Sequence, residues 1–363
     1  MESMVNSQLL KKYKGKRVFI TGHTGFKGSW LTFTLSKAGA ILKGYALEPN
    51  TIPSLYTKIT KSVKIVSIIA DINNVKKLEN EILEFQPDFI FHLAAQPLVR
   101  RSYLEPLETF TTNIIGTANL LSAILKLKKP CNVILITTDK VYENNEWNYS
   151  YREIDRLGGY DPYSASKAAS ELVINSFRSS YFNIQNYSSH KKAIVSVRAG
   201  NVIGGGDWTE DRLLPDIVKS LVNQQKIIIR NPNSIRPWQH VLEPVFGYLK
   251  LGILLSQQPQ KFSGAWNFGP KISDNLSVIS IARLSLQIWG SGNIDIQESS
   301  SNFHEAKLLK LDISKAMNEL EWMPSMDSNL AIKKTIMWYK AYYENENSAV
   351  ELVENDISYF LNL

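Results

Sequence analysis

The stretch KRVFITGHTGFKGSWL, Lys16 to Leu31, decides the fold. Arg17 to Ile20 reads as a strand buried on both faces, a short run of β-branched and aromatic residues. Gly22, Gly25 and Gly28 then recur at every third position. From Ser29 to Lys37 apolar residues return at helical spacing, at Trp30, Phe33 and Leu35, and Gly39 closes the run. Strand, glycine turn and helix form the context in which a dinucleotide is held. The first glycine permits the tight turn, the second lets a pyrophosphate approach the backbone, and the third packs helix on sheet. The helix N-terminus adds free N–H groups and partial positive charge. The spacing is GxxGxxG rather than GxGxxG, so the motif alone leaves a plain strand-to-helix loop open.

Outward from this turn, strands alternate with helices. AILKGYAL (40–47), VKIVSIIAD (63–71), DFIFHLAA (88–95), NVILITTD (132–139) and AIVSVRAGNVIG (193–204) read as strands. NNVKKLENEILEF carries Val75, Leu78, Ile82 and Phe85 on one helical face; further helices are expected over Asn113–Lys126 and Ser164–Phe182. The pattern predicts an α/β, Rossmann-type doubly wound parallel sheet covered on both faces. After Gly206 the rhythm breaks at Pro215, Pro232, Pro237, Pro244, Pro259 and Pro270. Residues 1–200 are therefore expected to form the dinucleotide-binding domain. Residues 201–363 are expected to form a smaller mixed lobe, with some segments returning to the first and a polar link plus short final helix over 340–363.

Composition narrows the class. The 363 residues are 44% hydrophobic and 21% charged, as in globular proteins, and the formal charge is +7. The lysines are scattered without a dense basic run, which argues against nucleic acid. The single cysteine, Cys131, excludes an internal disulfide framework and a Cys-based zinc site, and no metal is expected. A reducing cytoplasm fits. MESMVNSQLLKKYKGKR lacks the pattern of a signal peptide. No apolar run reaches the ~18 residues of a membrane span; FGYLKLGILL is interrupted by Lys250 and reads as a buried helix.

YDPYSASKAASEL places Tyr163 and Lys167 at i and i+4, on one helix face. An ammonium beside a phenol favours phenolate and lowers a pKa ordinarily near ~10. Such a phenolate can take a hydroxyl proton while hydride leaves the same carbon for a nicotinamide. LITTDK sets Thr137, Thr138, Asp139 and Lys140 at the carboxyl edge of a strand, where ligands of open α/β sheets bind. Asp71, ending the third strand, suits the adenine amino group, and Ala94-Ala95 leave room for the nucleotide. A ribose-binding acid is expected at the end of the second strand; Ala46 stands there, with Glu48 two residues on. No Arg follows to take a 2′-phosphate, which favours NAD over NADP.

In order along the chain, TGxxGxxG, Asp71-Ile72, HLAAQ, TNIIGT and YxxxK resemble the extended short-chain dehydrogenase/reductase family, over nearly the whole length. TGHTGFKGSWL, QPLVRRSY, TTDKVYEN, YREIDRLGGYDPYS, RAGNVIGGGDW, IRPWQHVLEP and HEAKLLKLD are similar to its CDP-glucose 4,6-dehydratase branch. The resemblance implies an NAD-dependent internal redox elimination: oxidation at C4, loss of water across C5–C6, and hydride return to C6. The product would be CDP-4-dehydro-6-deoxy-glucose, feeding deoxysugar synthesis for surface polysaccharide. Another nucleotide-sugar dehydratase or epimerase on the same scaffold is the alternative.

Carried over residue by residue, the resemblance implies cofactor contacts at Gly22, Thr24, Gly25, Phe26, Lys27, Gly28, Asp71, Ile72, Leu93, Ala94, Ala95, Thr137, Tyr163 and Lys167. Lys27 is open between a phosphate contact and a solvated side chain, and His23 reads as packing. Tyr163 would take the 4-hydroxyl proton and Thr138 would hold the 4-oxygen. Asp139 would be the acid at the 6-hydroxyl, and Lys140 the C5 base in its neutral form. Substrate contacts are expected at Gln96, Asn201, Arg212, Arg230, Arg236 and His304, with Arg236 foremost because arginine forks match phosphate oxygens. The helices at 113–126 and 164–182 are apolar on more than one face, which suits a homodimer through a four-helix bundle, or a tetramer built on it.

Overall fold

The computed structural model describes residues 2–274, 276–297 and 308–363. Its strands are β1 (Arg17–Thr21), β2 (Ile41–Ala46), β3 (Ile65–Ile69), β4 (Phe89–His92), β5 (Cys131–Ile136), β6 (Lys192–Ala199), β7 (Asn201–Ile203), β8 (Ile227–Ile229), β9 (Ile235–Arg236), β10 (Trp238–His240), β11 (Gly264–Phe268), β12 (Leu276–Ser277) and β13 (Ile294–Ile296). Seven of them form one sheet in the order β11-β6-β5-β4-β1-β2-β3, every pair parallel. The near-continuous apolar runs are explained by the period of two. Val18, Ile20, Phe91 and Ile134 pack into one core layer; Phe19, Ile90, Val133 and Leu135 pack into the other. The helices Phe26–Lys37 and Leu242–Gln257 cover the first face, and Val75–Phe85, Gly116–Lys126 and Pro162–Ser180 the second. Strand order reverses between β1 and β4, and the crevice at that reversal is where such sheets bind ligands.

Four departures from the sequence reading have physical causes. AIVSVRAGNVIG is two strands: the chain swerves at Gly200, where a Cβ would stand 3.1 Å from the Asp139 carboxylate, and β7 leaves to pair with β10. The seventh strand, GAWNF, returns from the C-terminal half and pairs residue for residue with Val195–Ala199 of β6. The helix ending at Lys126 begins further back, at Pro106, and passes through a π-turn at Thr111–Ile115. There Asn113 turns inward, donating to the Gln96 carbonyl and the Ser166 hydroxyl and accepting from the Gln96 N–H. Finally, the polar link expected over 340–363 shrinks to residues 345–348, and the expected final helix follows it. Helices Ser328–Glu344 and Ala349–Leu361 flank it, with Val353, Ile357 and Phe360 buried at helical spacing. The Leu242–Gln257 helix is buried as expected, and among the described residues no helix is long and apolar enough to cross a membrane.

Candidate active site

The glycine turn is shaped by two steric demands and one opening. Gly22 sits at φ +75°, and a Cβ there would lie 2.7 Å from the Ala94 backbone nitrogen. At Gly28 a Cβ would stand 2.0 Å from the Gly22 carbonyl oxygen, so only glycine lets the helix lie on the turn. Gly25 is different: a Cβ would meet nothing nearer than 3.5 Å. Nothing within the chain demands glycine there. Gly25 is the N-cap of the Phe26–Lys37 helix, which has neither a capping side chain nor an acid in its first turn. The free N–H groups and the bare approach are what a pyrophosphate needs, so the turn fits a dinucleotide. Thr24 ties the turn to the end of β2, its hydroxyl donating to the Leu47 carbonyl at 2.8 Å. His23 packs beneath, bonded to the Ser67 hydroxyl at 2.7 Å, and burial holds its pKa down at about 4.

Beside the turn opens a cavity of about 790 Å³. Its wall includes Phe26 and Lys27, the strand end Thr137–Lys140, Tyr163, and Asn201, Arg212 and Arg236 from beyond the sheet. Tyr163 opens the Pro162–Ser180 helix, whose N-cap Asp161 accepts from the Ser164 N–H at 2.9 Å. The Tyr163 phenol lies beside Thr138, and the Thr138 hydroxyl donates to Asp139 Oδ1 at 2.9 Å. Phenol, hydroxyl and carboxylate thus stand in a row in the cavity wall. Several ions of the wall are paired: Arg212 to Asp207 at 2.9 Å, Arg100 to Asp211 at 2.6 Å, Arg156 to Glu143 at 2.8 Å. Lys27, Lys140 and Arg236 add positive charge against Asp139 and Asp161, and the arginines offer forks that match phosphate oxygens.

One electrostatic expectation is corrected. The phenol of Tyr163 is raised, to about 12, because burial outweighs its interaction with Thr138 and the nearby Arg212. Lys167 is buried outside the cavity wall, and it is the ammonium that gives way: burial and then Lys27 push it down to about 7, against Glu171. Burial, followed by Arg212, lowers Lys27 to about 8, with Asp139 and Asp207 opposing.

The other expected residues separate into groups. Gly22, Gly25, Gly28, Leu93, Ala94 and Ala95 gather where β1 and β4 end, outside the cavity wall. Asp71 is exposed past the end of β3, its carboxylate accepting from the Asn73 N–H at 2.8 Å, and Ile72 is buried against Gly116. The Thr137 hydroxyl points inward to Glu171 at 2.6 Å. The Gln96 carboxamide is engaged by Leu98 and Thr109, and the residue is buried and does not line the cavity. Arg230 is exposed just past β8 and away from the wall. His304 lies outside the described residues. Sequence reasoning missed Pro97–Arg100, Asp207, Asp211 and Trp238 as wall residues; QPLVRRSY and GGGDW were conspicuous strings, but nothing local says which way their side chains point.

A glycine turn beside a cavity, with Tyr163 and a Thr-Asp pair in its wall, agrees with what comparison with known proteins finds. The family model for GDP-mannose 4,6 dehydratase matches residues 19–335. The chain belongs to that family. Among curated relatives, the CDP-glucose 4,6-dehydratase of Salmonella typhimurium is 48% identical over 93% of this chain and 94% of its own length. Solved structures of the same fold include an epimerase from Methanothermobacter thermautotrophicus (TM-score 0.80, 21% identity, 95% of this chain and 98% of that one). The dTDP-glucose 4,6-dehydratase of Bacillus anthracis, in complex with NAD, follows at TM-score 0.74 and 20% identity, over 93% of this chain and 100% of that one. Family membership accounts for the parallel sheet and for the site at its reversal point.

Proposed function

We propose that this chain is an NAD-dependent CDP-glucose 4,6-dehydratase, converting CDP-glucose to CDP-4-dehydro-6-deoxy-glucose and water. The observation that carries the reading is the row Tyr163, Thr138 and Asp139, with Lys140 adjacent, in the wall of one cavity that also presents Arg212 and Arg236. The 48% identity to the Salmonella enzyme supports the choice of CDP-glucose among nucleotide sugars. NAD would be held by the Gly22–Gly28 turn, with Asp71, Ile72 and the Leu93–Ala95 strand end beside it and Tyr163 and Lys167 at its reactive end. When bound, NAD+ supplies the acceptor for the C4 hydride and the source of its return at C6.

The chain's own residues handle the protons. Tyr163 takes the 4-hydroxyl proton, and Thr138 holds the 4-oxygen. The ketone at C4 acidifies C5–H, which the Lys140 amine removes and later returns. Asp139 protonates the departing 6-hydroxyl. Proton balance gives the row its purpose. The product keeps its ketone, so the 4-hydroxyl proton must end in the departing water. Tyr163 to Thr138 to Asp139 is the route for that transfer. Asn201, Arg212 and Arg236 would hold the substrate, the arginines at its phosphates.

Incubation with CDP-glucose and NAD+ tests the assignment: the alkali-induced chromophore of a 4-keto sugar is expected from CDP-glucose, in preference to dTDP-, GDP- and UDP-glucose. Product from one of the others alone reassigns the substrate. The two glycines give a separate test. Gly25→Ala leaves the melting temperature near that of the wild type but weakens NAD+ about tenfold or more, since a methyl group shields charge-assisted N–H contacts. Gly28→Ala destabilises by about 1–3 kcal/mol through overpacking on the Gly22 carbonyl. Equal NAD+ affinity of wild type and Gly25→Ala would refute the pyrophosphate site.

The helices flanking the site leave Leu107 79%, Ile115 50% and Leu172 60% exposed. We assign this face to a second copy, as an intermolecular four-helix bundle. Sedimentation is expected to give a dimer, or a tetramer containing it, and Leu172→Glu a monomer; a monomeric wild type refutes the pairing.

A further inference from the structure

Behind the cavity, three segments of the fold meet on one buried carboxylate. Glu171 lies one turn beyond Lys167 on the Pro162–Ser180 helix and is 3% exposed. Its Oε1 accepts from the Thr137 hydroxyl at 2.6 Å and from Arg198 Nε at 3.1 Å. Its Oε2 accepts from the Ser196 hydroxyl at 2.8 Å and from Arg198 Nη2 at 2.9 Å. Arg198, also 3% exposed, continues to the Tyr142 hydroxyl at 2.7 Å and the Glu153 carbonyl at 3.1 Å. A buried ion pair contributes little net stability, because desolvation offsets the attraction. Its location suggests another purpose. Thr137 leads directly into Thr138 and Asp139, and residues four apart on a helix share a face, as Glu171 and Lys167 do.

We infer that Glu171 is a positioning residue for the reaction: its buried negative charge faces Lys167, and its hydrogen bonds anchor the strand end that carries Thr138 and Asp139. The inference rests on the reading of the site given above. Around Lys167 stand Lys27 from the glycine-turn helix, His92 from β4, and Tyr163 and Glu171 on its own helix. His92 is neutral, pushed down to about 3 by burial and by Lys167 itself. Lys27 repels the ammonium, so Glu171 is the charge that favours it. Glu171 in turn is faced by Arg198 and, less directly, Arg178.

The Tyr163–Lys167 pair acts as a base only after losing one proton, and the acid limb of kcat against pH reports that loss. In Glu171→Gln the proton leaves more easily, so the limb moves to lower pH, by about one unit for a charge one helical turn away. Plateau kcat falls about tenfold, because charged lysine beside phenolate is less favoured, while KM for CDP-glucose is unchanged. Glu171→Asp, which keeps the charge, restores the limb. Glu171→Gln with Arg198→Met removes both charges, recovers the thermal stability lost in either single variant, and keeps the downward shift. The same shift is read without turnover from the ¹³Cε resonance of Lys167 titrated in the ligand-free protein. If the double variant is folded and both its acid limb and its Lys167 resonance titrate with the wild type, Glu171 is a brace for Arg198 only and the inference is overturned. Absence of product from wild-type protein refutes the assigned reaction instead, and the resonance still decides the role of Glu171.

Discussion

Tyr163→Phe is expected to abolish oxidation at C4, lowering kcat by ~10³-fold or more with CDP-glucose, at the upper end of what positioned acid–base groups contribute. The substitution removes one hydroxyl and nothing else. The fold tolerates it, because Thr138 keeps its bond to Asp139 and loses only its contact with the phenol. That loss costs about 1 kcal/mol, so the melting temperature moves by a few degrees at most. The phenol has no substitute: Lys167 is outside the cavity wall, and Asp139 is engaged one position further along the row. Because burial lifts the Tyr163 pKa to about 12 without ligand, catalysis depends on what lowers it in the loaded site. Thr138 and Arg212, the latter held by Asp207, already act in that direction. Reduced nicotinamide, followed by absorbance in a single turnover, should not form. Retention of most of the wild-type rate would remove the phenolate from the mechanism.

Asp139→Asn is expected to stop the reaction one step later. The amide is close to isosteric and its oxygen can still accept from Thr138, so the buried position, 5% exposed, is kept. It cannot deliver a proton to the 6-hydroxyl. Turnover therefore falls by ~10²–10⁴-fold, while oxidation at C4 continues. Reduced cofactor accumulates toward one equivalent per site, and no 6-deoxy product appears. This pattern separates a dehydratase from an epimerase on the same fold, which leaves the 6-hydroxyl in place and would keep its rate in Asp139→Asn. Removing this carboxylate also takes away one of the charges that support the Lys27 ammonium, so NAD+ binding is measured alongside, and the rate is compared at saturation.

What the amino-acid sequence determined was the part governed by local geometry. Alternating apolar strands, the three glycines after β1 and a tyrosine four residues before a lysine are short-range patterns, and each reached its place: strand, helix start, helix face. The Thr138-Asp139-Lys140 strand end was legible for the same reason, since the end of a parallel strand points into the crevice whatever the rest of the chain does. Tertiary structure decided everything that depends on which distant segments meet. GAWNF opens on a glycine and lacks the β-branched run that marks the other strands, and becomes one because the edge of β6 offers it a parallel partner. Gln96 looked available and is consumed by Leu98 and Thr109; Arg212 looked weak and stands in the wall, oriented by Asp207. The protonation of Tyr163 and Lys167 was misjudged because a pair of charges can be read from spacing but burial cannot. Desolvation sums over every neighbour that excludes water, and those neighbours, including the Glu171–Arg198 pair that joins the catalytic helix to β6, are assembled only by the fold.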